Sequence, residues 1–172
     1  MKISSSHNSN GWRTQYGRAR RWHLRLQTAR AECARIGIST NSEDYIYAFF
    51  QNCFHLREWL EKSGATSKAE TEQLFASHEE LQLCRDICNG TKHMTINNPS
   101  VDGNFYTFRE YDYFHIPSLS DGPCSMEKFM IRAAGQKCDL FELADRCMEI
   151  WQKFLEKNGL LTTIEESEQL VA

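Results

Sequence analysis

The chain of 172 residues has no run of about 18 apolar residues, which excludes a long apolar helix crossing a bilayer. Its first residues, Met1-Lys2-Ile3-Ser4-Ser5-Ser6, lack the apolar stretch of a signal peptide. A cytoplasmic protein with no membrane partner is therefore expected. No Gly-rich phosphate loop, Gly-x-Ser-x-Gly elbow or His-Glu-x-x-His pattern occurs, which removes the familiar nucleotide-binding, serine-hydrolase and zinc-protease signatures. Internal repeats are absent too. So is any Cys-x-x-Cys pair. Cys84 and Cys88 stand one helical turn apart near His93, but they do not complete a tetrahedral ligand set. No metal and no cofactor is expected. The seven cysteines are odd in number and mostly fall on apolar helix positions, which favours reduced, buried thiols over a disulfide framework.

What the chain does have is helical periodicity. From Trp12 an apolar stripe runs through Tyr16, Ala19, Trp22, Leu26, Ala29, Cys33 and Ile36 in steps of three or four, and Gly37 is placed to cap it. Asn41 or Ser42 opens a second helix to about Lys62, whose broad face of Ile46, Phe49, Phe50, Cys53, Leu56 and Leu60 suits the centre of a bundle. Ser67-x-x-Glu70 and Ser77-x-x-Glu80 read as capping boxes for two further helices. Asn89-Gly90 is able to break or cap the second of these. Residues 104–134 alternate aromatic and turn sequences and read as a small antiparallel β element. Asp139 with Glu142 opens the last strong helix, which Asn158-Gly159 ends.

The expected fold is mainly α, an antiparallel bundle of four to five helices with a small β-hairpin insertion before the last long helix. Residues 1–10 are expected to be disordered, residues 11–160 to form one domain, and residues 161–172 to form an acidic flexible tail. Charge is unevenly spread. Residues 1–35 carry a net +7, so the remainder sums to −10 within a total of −3. The basic segment suits either a nucleic-acid surface, with Arg18, Arg21 and Arg25 tracking phosphates, or a helix docking on its own acidic neighbours.

The densest polar group is Arg85-Asp86-Ile87-Cys88-Asn89-Gly90-Thr91-Lys92-His93. On a continuous helix, residues seven apart are offset by only about 20°, so Asp86 stacks with His93 and Arg85 with Lys92, with Asn89 between. A histidine can move the proton of a 2′-hydroxyl or a leaving oxygen, and an arginine can grip a phosphate through its bidentate fork. Gly with nearby cations is equally ordinary chemistry for a helix end.

Arginine, a following polar residue and a histidine several positions on, in an all-helical domain of this size, resemble the HEPN superfamily. The resemblance implies a four- or five-helix bundle, a homodimer and a metal-independent endoribonuclease site, in systems such as toxin–antitoxin pairs and antiviral defence. Carried over, Arg85 is the motif arginine, Asp86 the polar residue after it and His93 the motif histidine. The Arg–His spacing is one residue longer than the family pattern. Asp86 or Asn89 would then orient the catalytic pair, while Lys92, Arg18, Arg21 and Arg25 would bind RNA. A non-catalytic module that docks a protein partner through the same helix face is the competing expectation.

Overall fold

A computed structural model describes residues 11–36, 42–92, 101, 106–114, 124–133 and 135–161. It contains a five-helix bundle with a three-stranded antiparallel sheet inserted before the last helix: α1 (Gly11–Ile36), α2 (Ser42–Lys62), α3 (Lys68–Ser77), α4 (Glu79–Lys92), β1 (Tyr106–Phe114), β2 (Cys124–Ala133), β3 (Gln136–Asp139) and α5 (Leu140–Lys157). No helix among the described residues is long and apolar enough to cross a membrane. The expected terminal segments and the Asn41 and Gly37 caps lie outside the described residues, apart from Leu161.

The broad face of α2 sets the architecture. Ile46, Phe49, Phe50, Cys53, Leu56 and Leu60 are all buried, and α2 packs against α1, α3, α4 and α5. Each large apolar side chain removed from water contributes about 1.5–3 kcal/mol, so a face this wide is stable only when covered on several sides. The α5 stripe of Leu143, Cys147, Trp151 and Leu155 supplies one cover. Gln15, buried on α1, donates to the Asn52 carbonyl at 2.8 Å and fastens α1 to α2. Two residues earlier on the same helix, Arg13 donates to the Leu160 carbonyl at 3.1 Å and ties the start of α1 to the segment after α5.

Helix ends follow local chemistry, with one correction. Ser67 and Glu70 form the expected reciprocal box on α3. Asp139 caps α5 by accepting from the Phe141 and Glu142 amides at 2.7 and 3.2 Å. Gly64 and Gly159 follow α2 and α5 at φ +72° and +66°, the left-handed turn that closes a helix. Ser77, by contrast, does not cap α4. It is the last residue of α3, and its hydroxyl bonds back to the Gln73 carbonyl at 2.8 Å. A serine can satisfy the carbonyl four residues behind it as readily as an amide ahead, and here the end of α3 wins.

The β element is larger than a hairpin. Tyr106, Phe108, Tyr111, Tyr113 and Phe114 lie on one strand, β1, and a third strand, β3, ends at Asp139, the cap of α5. The strand order is β1-β2-β3, with Phe108 opposite Met130 and Ile131 opposite Cys138. Phe129, Ile131 and Ala133 alternate inward on β2, which packs on α1 and α5. Phe129 meets Phe141 edge-on at 6.1 Å.

Glu61 joins α2 to α3. It accepts from Arg57 Nε at 2.8 Å and from the Thr71 hydroxyl. Burial raises the carboxyl pKa, but the bonds from Arg57 and Thr71 outweigh it and hold the group below its ordinary 4.5. A depressed carboxylate stabilises the fold above its unfolded pKa and stops doing so as pH falls through the lower folded value. Glu61→Gln is expected to cost about 1 kcal/mol at pH 7. The deficit should shrink below pH 4.5, which thermal melts across pH will show.

Candidate functional site

The polar stripe sits on the C-terminal half of α4. Leu81, Leu83, Cys84, Ile87 and Cys88 are buried and anchor this helix, so Arg85 and Asn89 are left at its edge. Asn89-Gly90 does not break the helix, which continues to Lys92. Arg85 and Asn89 are thus one turn apart on a continuous face. His93 and the Lys92 side chain lie outside the described residues.

Asp86 turns inward. It is only 1% exposed, and its carboxylate accepts from the Val101 amide at 3.3 Å. Its other oxygen lies 3.5 Å from Arg85 Nε. The Arg85 side chain is 35% exposed, so one end of the pair is buried and the other reaches the surface. Such an arrangement can orient a guanidinium, because the buried carboxylate engages Nε and does not use the terminal nitrogens of the fork.

The arginine-rich helix divides into two parts. Arg30 pairs across to α5, 3.4 Å from Asp145 and 3.8 Å from Glu142, which is the internal acidic docking that the charge asymmetry allows. His23 also turns to α5, with Nε2 2.6 Å from Asp145. Asp145 lies 122 positions along the chain from it, so no local signal in the sequence reports this contact. Arg18 and Arg25 stay exposed and stack on tryptophans, Arg18 at 5.7 Å from the Trp59 ring and Arg25 at 4.3 Å from Trp22. Gln15 accepts from Arg18 at 3.2 Å, so this guanidinium is held from two sides. Arg21 is half-buried on the same helix.

The two groups are not brought together within one chain. α1 and α4 both pack on α2 and have at most marginal contact with each other. An open groove of about 630 Å³ near the sheet is lined by Arg30, Glu80, Lys128, Lys137, Glu142 and Arg146, and does not include the α4 stripe.

One cluster escaped the local reading. Cys84 groups with Cys53 of α2 and Cys147 of α5, the three sulfurs lying within 4.8 Å of one another and fully buried. Periodicity marks each of these cysteines as inward. Only packing of the three helices puts them at one level.

No family model matches the chain, and neither the curated proteins nor the solved structures include a significant match.

Proposed function

We propose that this chain is a HEPN-like domain that cleaves RNA as a metal-independent endoribonuclease and works as a homodimer. The observation that carries this reading is the Arg85–Asp86 pair, with a buried carboxylate orienting a partly exposed guanidinium on a continuous helix. In the reaction, His93 takes the proton of a ribose 2′-hydroxyl, and that oxygen attacks the adjacent phosphate. Arg85 offsets the charge that grows on the phosphate oxygens. The 5′-oxygen leaves with a proton from a second acid, which the dimer supplies as the partner's copy of His93. The products are a 2′,3′-cyclic phosphate and a free 5′-hydroxyl. Asn89, one turn from Arg85, orients the phosphate, and Lys92, Arg18, Arg21 and Arg25 hold more distant RNA. The stacked state of Arg18 and Arg25 suits them to that task, since an arginine on an aromatic ring is already ordered.

The test is direct. Purified protein should cleave single-stranded RNA in excess chelator, leaving cyclic phosphate ends, and light scattering should give a dimer mass. A dimeric, folded protein that leaves RNA intact would sink the proposal.

A second reading rests on the bond from Val101 to Asp86. That bond is a structural task needing no chemistry, and it fits a module that docks a protein partner through the α4 face. Under that reading Arg85→Ala weakens partner capture and RNA stays uncut by the wild type.

A further inference from the structure

Three thiols meet in the middle of the bundle, where the reaction above has no use for them. Cys53 comes from α2, Cys84 from α4 and Cys147 from α5. All three are 0% exposed. As thiols they have weak bonds available: Cys84 points to the Phe50 carbonyl at 3.6 Å and Cys147 to the Glu80 carbonyl at 3.4 Å. Small apolar filler would account for any one of them. It does not account for the convergence of three soft donors from three helices on one point.

A second, independent observation points the same way. Trp151 is fully buried one turn after Cys147, and its indole Nε1, which makes no well-formed hydrogen bond among the described residues, has only the weakly accepting Cys53 sulfur beside it. The indole stands beside Cys53, where its N–H favours the thiolate form. A thiol is a poor acceptor, whereas a thiolate held by an ion is a good one, and bonds of this kind commonly support bound ligands. Loading the three sulfurs would turn that weak acceptor into a good one.

The donor set selects the ion. Only sulfur is offered, which suits soft ions and disfavours calcium and magnesium, whose ligands are oxygens. Among the described residues no fourth histidine, cysteine, aspartate or glutamate ligand atom joins the group. A closed zinc site takes four ligands, and a site with no exposed atom has no easy water to supply one. A pyramidal three-coordinate ion about 2.3 Å from each sulfur needs the sulfurs about 3.5 Å apart, so the three thiols, now within 4.8 Å of one another, draw inward on loading. Charge then decides between soft ions. An uncompensated charge is costly in an apolar core. Monovalent copper with three thiolates carries two negative charges, while trivalent arsenic with three thiolates is neutral.

We propose that Cys53, Cys84 and Cys147 form a buried three-thiolate site for a soft trivalent ion of the arsenite class. The exchange balances without any oxidant. Arsenous acid gives up three As–O bonds for three As–S bonds, and its hydroxyls leave as three waters carrying the thiol protons. Free thiolates are never needed in the core, so the burial that pushes the Cys84 and Cys147 thiols up is no obstacle.

The experiment uses the full chain, reduced and free of oxygen, incubated with arsenite and then freed of unbound ion by gel filtration. One arsenic per chain is expected, with three sulfurs and no oxygen around it by X-ray absorption, and a raised Tm because the ligand binds only the folded state. Cys84→Ser should lose the arsenic, and Cys138→Ser should keep it. Trp151→Phe, which retains an aromatic ring without the N–H, should weaken retention about 10-fold. The proposal fails if folded wild type keeps no arsenic or if the bound ion shows two sulfurs and an oxygen. It also fails if Cys84→Ser binds as well as wild type, or if equal zinc or monovalent copper displaces the arsenic. The wild-type spectrum stands on its own should a serine variant not fold.

Discussion

Arg85→Ala is expected to slow RNA cleavage by about 10²–10³-fold, the usual cost of losing one donor that meets developing charge. Most of the loss should fall in kcat, because charge on the phosphate oxygens grows toward the transition state. Lysine at the same position restores the charge but not the planar fork, and should recover only part of the rate. The fold should survive, since Asp86 keeps the Val101 amide when the guanidinium is removed. A loss of about 1 kcal/mol in stability is the expected side effect. Single-turnover cleavage and a urea melt on the same preparations separate the two effects. Normal cleavage with a large drop in stability would make the pair structural and remove Arg85 from the chemistry. His93→Ala should lose about 10²–10⁴-fold, the range for a general acid or base. The double variant should lose much less than the product of the two if they act on one phosphate.

The largest expected effect on stability comes from Trp151→Ala, about 3–5 kcal/mol. Trp151 is 0% exposed and meets Phe75 of α3 edge-on at 6.0 Å and Phe154 at 5.9 Å. Its removal opens a void between α3 and α5 and beside Cys53. Neighbours drawn from different elements cannot all follow one vanished side chain, so the void stays partly open. The measurement is the urea midpoint at constant m value. Trp151→Phe should cost much less, which makes it the better probe of the indole N–H. A loss below about 1 kcal/mol for Trp151→Ala would mean that the core collapses freely around this position.

Local signals account for most of the helices. The three- and four-residue steps from Trp12 to Ala29, the wide face of α2 and the caps at Ser67 and Asp139 all depend on residues close in the chain. Three features were not legible, each for a physical reason. Ser77 had two neighbours to satisfy, and the sequence alone does not say which helix would claim it. β3 is only four residues long and is held mainly by pairing with β2, a contact that no periodicity within it reports. The cysteine trio depends on the rotation and height of three helices relative to one another. For the site, Arg85, Asp86 and Asn89 were visible as a stripe, yet the inward turn of Asp86 was not. A charged residue in a polar stripe looks exposed, and nothing local signals its bond to the Val101 amide fifteen positions on.

The bond from Arg13 to the Leu160 carbonyl spans almost the whole described chain. A ribosome delivers α1 and α2 well before α5. Through most of synthesis the inner face of α2 therefore waits without the helix that completes its cover. An apolar face left open in this way is prone to aggregate, so the order of synthesis puts the exposure on α2 and its relief on the last helix.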